Sequence, residues 1–254
     1  MTDGLSVRDL SVRYGGLHAV KGVSLDAPLG RLTGLIGPNG AGKTSTFDAL
    51  SGLVRPSAGT VTLFGEDITG LPPQARARRG LGRTFQRMQL FESLDVTRNV
   101  ALGREAHFAG SNPIHHLWAR GTERIAVERA VHGAIELCEL EALAHRRAGV
   151  LSTGQRRLVE LARAVAGDFR ILLLDEPSSG LDVAETKRFG SILRTLIDRG
   201  LGILLVEHDM GLVMDVCDDI YVIDFGEPIF DGPPKAVAAS SAVRGAYLGT
   251  ESVA

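Results

Sequence analysis

The sequence predicts an α/β fold: a parallel-sheet core, an antiparallel β part near its start, and a helical subdomain inserted into it. Three observations carry this expectation. Residues 37–44 read Gly37-Pro38-Asn39-Gly40-Ala41-Gly42-Lys43-Thr44 and stand between an apolar run, Leu32 to Ile36, and a stretch with Phe47, Leu50 and Leu53 at helical spacing. The runs Ile171–Leu174 and Gly202–Val206 are nearly all apolar, as parallel strands covered on both faces should be. Between about residues 87 and 165 the β-type runs give way to helix-like sequence.

Taken in order, residues 5–29 alternate apolar and polar types around Gly15-Gly16, the pattern of an antiparallel strand pair, with Tyr14 just before the turn. The strand at 32–36 follows, then the Gly-rich stretch and its helix. Thr60–Phe64 is a short β-type run after the turn at Pro56–Gly59, and Leu81–Gln86 is a further strand or extended segment. In the helical part, Gly110-Ser111-Asn112-Pro113 is a break, and Ile125, Val127, Val131, Ala134, Ile135 and Cys138 form a helical stripe. Gly154–Ala166 is a second helix with Leu158, Leu161, Ala162 and Val165 on its apolar face and Ser152 at or next to its N-cap. A helix from about Ala184 to Arg199 joins the two apolar strands into a βαβ unit. Tyr221–Asp224 and Pro228–Phe230 form a last hairpin around Gly226.

The 254-residue chain is 44% apolar and 23% charged, ordinary values for a soluble globular protein. A net charge of -2 argues against a dominant nucleic-acid surface. No apolar run approaches the ~18 residues that span a bilayer, and Met1–Leu10 lacks a signal-peptide core, so any membrane role comes through partner chains. Cys138 and Cys217 stand apart with no C-x-x-C spacing and fit a reducing cytoplasm. His107 and His115-His116 have no metal-ligand spacing and read as solvated loop residues.

Residues 37–44 match G-x-x-x-x-G-K-[ST], the phosphate-binding loop. A strand, a Gly-rich turn and a helix start wrap backbone N–H groups around an anion at the positive end of a helix dipole. Lys43 is placed to reach the β- and γ-phosphates and Thr44 to ligate Mg2+. Asp175 and Glu176 end an apolar strand, which delivers carboxylates to the ligand edge of a parallel sheet. Taken alone, two acids before Pro177 also fit the start of a turn. Beside a phosphate loop, Asp175 reads as a Mg2+ ligand opposite Thr44, and Glu176 as the group that orients or deprotonates an attacking water. Leu151-Ser152-Thr153-Gly154-Gln155 precedes a helix and is a second anion-seeking helix start.

Leu-Ser-x-Gly-Gln between a phosphate loop and an Asp-Glu strand end resembles the signature of ABC-type ATPases, and the resemblance covers nearly the whole chain. It implies a P-loop NTPase (RecA-like) core of ABC-ATPase type, with residues 1–86 and 166–254 as core and 87–165 as helical signature subdomain. It further implies an ATP site at Gly37, Pro38, Asn39, Gly40, Ala41, Gly42, Lys43, Thr44 and Ser45, with Tyr14 stacked on adenine and Val20 beside it. Gln86, in Arg83-Thr84-Phe85-Gln86, matches the glutamine that touches Mg2+ and the attacking water. Asp182, in Ser178-Ser179-Gly180-Leu181-Asp182, matches the D-loop, and His208 the switch histidine that contacts the γ-phosphate. Thr153 stands where many members have Gly, at a position that varies in the family. The family packs two ATPase subunits head to tail, so Ser152, Thr153, Gly154 and Gln155 would serve the ATP bound by the opposite subunit.

Several stretches resemble the branched-chain amino-acid importers within that family: Arg83–Gln86 with Leu90-Phe91, Val206–Met210 with Leu212–Met214, and the tail Val243–Gly249. Met88, Leu90 and Phe91 form an apolar surface suited to a coupling helix of a membrane subunit, or to packing between core and helical subdomain. The implied assembly has a second ABC ATPase subunit, two integral membrane permeases and an external solute-binding protein, at the cytoplasmic face of the cell membrane, with no nucleic acid. Related members handle other small solutes, and a lipopolysaccharide exporter has a similar ATPase. A soluble ABC ATPase acting on DNA or the ribosome is the competing class, but a single cassette without sustained heptads or a cysteine cluster does not fit it. A phosphate-loop kinase or GTPase has no use for Leu151–Gln155 or His208.

Overall fold

A computed structural model describes residues 3–84, 89–108 and 120–248. In chain order, β1 (Gly4–Tyr14), β2 (Leu17–Pro28) and β3 (Leu32–Ile36) lead into α1 (Lys43–Ser51). Then come β4 (Ala58–Leu63), β5 (Glu66–Asp67), α2 (Pro73–Ala77) and β6 (Leu81–Arg83). The helical stretch holds α3 (Val96–Phe108), α4 (Arg120–Leu137) and α5 (Thr153–Ala166). After it follow β7 (Ile171–Asp175), α6 (Val183–Asp198), β8 (Gly202–Val206) and α7 (Met210–Val216). The chain ends with β9 (Asp219–Asp224), β10 (Glu227–Gly232), α8 (Pro234–Ala239) and α9 (Ser241–Leu248).

These elements gather into two units. One takes the described residues up to Arg83, Arg170–Glu176 and those from Leu196 onward; the other takes Thr84–Phe169 and Pro177–Thr195 within the described residues. The first unit holds both sheets. A four-stranded sheet runs β2-β1-β4-β5 and is antiparallel throughout. A six-stranded sheet runs β10-β9-β3-β8-β7-β6, parallel except for the antiparallel β9–β10 hairpin. Every residue of β3, β7 and β8 is buried, which explains their nearly all-apolar sequence, with Thr33 and the terminal Asp175 as buried exceptions. Fully burying one such Leu, Ile or Val contributes roughly 1.5–3 kcal/mol. A single core joins Leu5, Val7 and Leu25 of the antiparallel sheet, Phe47 and Leu50 of α1, and Leu35, Leu173 and Leu204 of the parallel sheet. The helix behind the Gly-rich loop is thereby packed against both sheets.

Three expectations need correction. His107, read as a loop residue, falls within α3. Phe47 and Leu50 are buried, but α1 stops at Ser51 with Gly52 in the left-handed conformation, φ 81°. Leu53 therefore falls outside the helix and is 52% exposed. On α4, Val131, Ala134 and Ile135 are buried, whereas Ile125 is 57% exposed, so the apolar stripe begins later than the sequence spacing implied. The break at Gly110–Pro113 lies outside the described residues.

Arg76 closes α1 from behind. Its guanidinium donates to the carbonyls of Ala49 (2.7 Å) and Leu50 (2.6 Å), which end the helix, and to Leu71 (2.9 Å) and Thr69 (2.8 Å). A buried cation at a helix C-terminus gives its last carbonyls a donor, here in addition to the Gly52 N–H on the Ala49 carbonyl (3.2 Å), and opposes the negative end of the dipole.

Candidate functional site

The chain between β3 and α1 turns on glycines. Gly37, Gly40 and Gly42 have φ of 159°, 82° and 100°. A side chain on Gly42 would collide with the Ala19 carbonyl oxygen, and one on Gly37 with the Ile223 carbonyl oxygen. Lys43 is nearly buried and its Nζ donates to the carbonyls of Gly37 (2.7 Å) and Pro38 (2.9 Å). Burial pulls the Lys43 ammonium below the usual lysine range, opposed by the negative charges of Glu176 and Asp175.

This loop lines a cavity of about 730 Å3. Asn39–Ser45 form one wall, Tyr14, Leu17, His18 and Ala19 another, and Glu176, His208 and Phe225 reach in from the strand ends. Gly37 and Pro38 are buried behind the loop and do not line the cavity. Val20 is fully buried in the core, while its neighbours Ala19 and Lys21 line the cavity. Strand alternation decides this: in β2 the side chain that faces the core cannot also face the ligand.

Asp175 ends β7 in register with Val206 of β8, so the residues after both strands arrive together at the C-terminal sheet edge. Glu176 N–H donates to the Val206 carbonyl (2.9 Å). His208 Nε2 lies 2.6 Å from Glu176 Oε1. Glu176 adopts φ 47°, the left-handed region that non-glycine residues enter at a cost of roughly 1–2 kcal/mol. Such strain concentrates at functional sites. Asp175 is buried, and loss of hydration raises its carboxyl above the usual range, against the lowering influence of Arg83. Arg83 ends β6 and donates to Asp175 Oδ2 (3.2 Å), Asp48 Oδ1 (2.7 Å) and Ser51 Oγ (2.8 Å).

In the second unit, Ser152 is the N-cap of α5. Its Oγ accepts from Gln155 N–H (3.2 Å) and Gln155 Oε1 accepts from Ser152 N–H (3.1 Å), a complete capping box. Gly154 packs on the Glu185 carboxylate, which would have to shift to admit a side chain there. Asp182 Oδ1 accepts from Glu185 N–H (2.8 Å) while Glu185 Oε2 accepts from Asp182 N–H (3.1 Å), the same reciprocal cap at the start of α6. Gln86, Arg87 and Met88 lie outside the described residues; Phe91 is 57% exposed.

Three residues of this site escaped sequence reasoning as individuals. Phe225 is 81% exposed at φ 47° and joins Tyr14, 45% exposed, as a second aromatic on the cavity wall. Arg83 bridges α1 and β7. Tyr247 on α9 accepts a hydrogen bond from the Gly37 backbone N–H, and burial pushes its hydroxyl up to about 12. An exposed Phe beside a Gly in a hairpin turn was the available signal for Phe225.

A Gly-rich anion cradle, a lysine inside it, and a carboxylate-histidine pair at the adjacent strand ends define a nucleoside-triphosphatase of the phosphate-loop class. The profile of the family described as ABC transporter matches residues 20–179. The chain belongs to that family, as one of its ATPases, and binds and hydrolyses ATP. BraF, a high-affinity branched-chain amino acid transport ATP-binding protein of Pseudomonas aeruginosa, is 40% identical over 250 residues, covering 96% of this chain and 97% of BraF. LivG of Escherichia coli, described in the same words, is 38% identical over 249 residues, 96% of this chain and 97% of its own. LptB, a lipopolysaccharide export system ATP-binding protein of Haemophilus influenzae, is 34% identical over 97% of this chain and 98% of its own. A solved ATP-binding cassette of an ABC transporter in its ADP conformation superposes with TM-score 0.86 at 29% identity, covering 98% of this chain and 100% of that one.

Proposed function

We propose that this chain is the ATP-hydrolysing subunit of an importer for branched-chain amino acids or a similar small solute. The observation that carries the reading is the 40% identity to BraF along 96% of the chain. In this reading the chain attaches through two permease subunits at the cytoplasmic face; no helix among the described residues is long and apolar enough to cross a membrane. An external solute-binding protein supplies the cargo in this scheme, and no nucleic acid takes part. The similarity to LptB favours one second reading, an ATPase of a lipopolysaccharide-type exporter.

In this reading the N–H groups of residues 39–45 and the Lys43 ammonium hold the phosphates, and Tyr14 stacks on adenine. Thr44, Asp175 and Gln86 are hard oxygen donors of the kind Mg2+ takes. Mg2+ usually keeps a few protein oxygens and takes the rest from substrate phosphates and water. When bound, Mg2+ neutralises charge on the β- and γ-phosphate oxygens. Glu176 orients the attacking water and accepts its proton, while His208 holds Glu176 and contacts the γ-phosphate. Two such subunits pair head to tail, so that Ser152–Gln155 of one reach the triphosphate held by the other, aided by Asp182. ATP closes the dimer, and hydrolysis with phosphate release opens it.

The test is uptake of radiolabelled leucine, isoleucine and valine by cells deleted for this chain. Uptake is expected to fall and to return with the parent chain but not with Glu176→Gln. Undiminished uptake overturns the importer reading. Undiminished uptake together with failed lipopolysaccharide export selects the exporter.

A further inference from the structure

Arg83 has two carboxylates within reach and is itself almost buried. Its side chain is 8% exposed, that of Asp175 5% and that of Asp48 25%. One arm lies 2.7 Å from Asp48 Oδ1 and 2.8 Å from Ser51 Oγ on α1, directly behind the phosphate loop. The other lies 3.2 Å from Asp175 Oδ2 at the end of β7. The guanidinium carbon also sits 5.7 Å from the centre of the Phe47 ring. The register explains the reach. Arg83 pairs with Leu173 across parallel strands, and Asp175 is two residues further along β7, on the same face. The side chain thus runs toward the C-terminal sheet edge, where ligands bind in such sheets.

An ion pair serving stability alone gains little here. Burying charges costs solvation that their attraction repays only with good geometry. Asp175, whose negative charge also acts on Lys43, stands beside the phosphate loop. A forked, permanently charged donor suits the task of holding a carboxylate in one orientation, which a lysine ammonium does less well.

We propose that Arg83 is a positioning residue for the metal-nucleotide complex: it holds Asp175 against α1 so that the carboxylate presents to the cation accompanying the triphosphate. The proposal rests on the reading of Asp175 as the metal-side carboxylate. It assigns Arg83 no contact with nucleotide. The cation-dependent part of nucleotide affinity therefore depends on Arg83, whereas the affinity of the phosphate loop for nucleotide without cation does not.

Purified full-length parent, Arg83→Met, Arg83→Lys and Asp175→Asn are titrated with a fluorescent ADP analogue, once in excess EDTA and once in saturating Mg2+. Thermal unfolding of each chain is followed in parallel. The parent and Asp175→Asn measure the underlying reading, since Mg2+ should tighten binding by the parent and much less by Asp175→Asn. If Asp175→Asn keeps the full gain, the reading of Asp175 fails and the proposal with it. If that reading holds, Arg83→Met is expected to bind in EDTA within about twofold of the parent and to lose about tenfold of the Mg2+ gain, the scale typical of groups that orient metal ligands. Arg83→Lys, which keeps the charge and the fold, is expected to recover only part of the gain. An Arg83→Lys or Arg83→Met chain with the parent's Mg2+ gain or a larger one, or with equal losses in EDTA and in Mg2+, overturns the proposal.

Discussion

His208 Nε2 stands 2.6 Å from Glu176 Oε1, although 32 residues separate them in sequence. The contact exists because β7 and β8 are neighbours in the parallel sheet, with Asp175 opposite Val206, so both strand ends deliver their next residues to one edge. Glu176 is further held by its N–H to the Val206 carbonyl and by a left-handed φ of 47°. A carboxylate fixed at backbone and side chain needs no reorganisation to act, and on the proposed reading it would face the attacking water.

Glu176→Gln keeps the shape but cannot take a proton. Phosphate release in ATP and Mg2+ should fall by at least about 100-fold while nucleotide still binds. With its partner subunit present, this variant should accumulate as a closed dimer by light scattering. Persistent monomer in saturating ATP would contradict the head-to-tail scheme.

His208→Ala removes the group touching Glu176, so turnover should drop and nucleotide binding should change little. Because the two side chains form one unit, Glu176→Gln/His208→Ala should be only a few-fold slower than Glu176→Gln alone, far less than the product of the single losses. A fully multiplicative double variant would show that the two act separately.

Gly42→Ala puts a side chain where φ is 100° and where the Ala19 carbonyl oxygen stands. Left-handed strain of roughly 1–2 kcal/mol corresponds to about tenfold, and the collision adds to it. Equilibrium nucleotide binding should weaken by about tenfold or more, whereas Gly40→Ala, which meets nothing within 4 Å, should lose less.

Arg76→Met leaves the carbonyls of Ala49, Leu50, Leu71 and Thr69 without their buried donor. The expected loss is about 3 kcal/mol, read as a lower urea midpoint at unchanged slope. Arg76→Lys restores the charge but not the fork, so it should recover only part of the loss.

Burial pushes the Cys138 thiol up to about 12, and Cys217 is also buried. The thiolate is the reactive form, so a thiol reagent at pH 8 should label the native protein at least about 100-fold more slowly than the denatured chain. Rapid labelling of either cysteine in the native state would contradict the packing.

Much of the core could be read from the chain because its signals are local. A parallel strand covered on both faces is mostly apolar, so β3, β7 and β8 announce themselves despite Thr33 and the terminal Asp175. A phosphate loop needs its glycines and lysine at set spacing, and a helix start such as Ser152–Gln155 carries its capping residues within one turn. Those requirements led from residues to ATP chemistry, and the resemblance they carried pointed to the family.

Facing and partnership across long sequence separations were not legible in the same way. Val20 and Tyr14 share a hairpin, yet the pleat turns Val20 into the core and leaves Tyr14 at the cavity. Nothing near Phe225 in sequence says that it lines the same cavity as Tyr14. The grouping of residues 177–195 with the helical unit has no composition break to mark it.

What could be read from the sequence by itself was therefore local: a Gly-rich loop with Lys43, a strand ending at Asp175 with Glu176 next, and a capped helix start at Ser152. What only the tertiary structure decided was which groups hold one another: His208 with Glu176, Arg83 with Asp48 and Asp175, and Arg76 with the end of α1. The reason is physical. Motif chemistry depends on neighbours a few residues apart, whereas these pairings depend on strand order and register, which are settled by burial of the whole core rather than by any one segment.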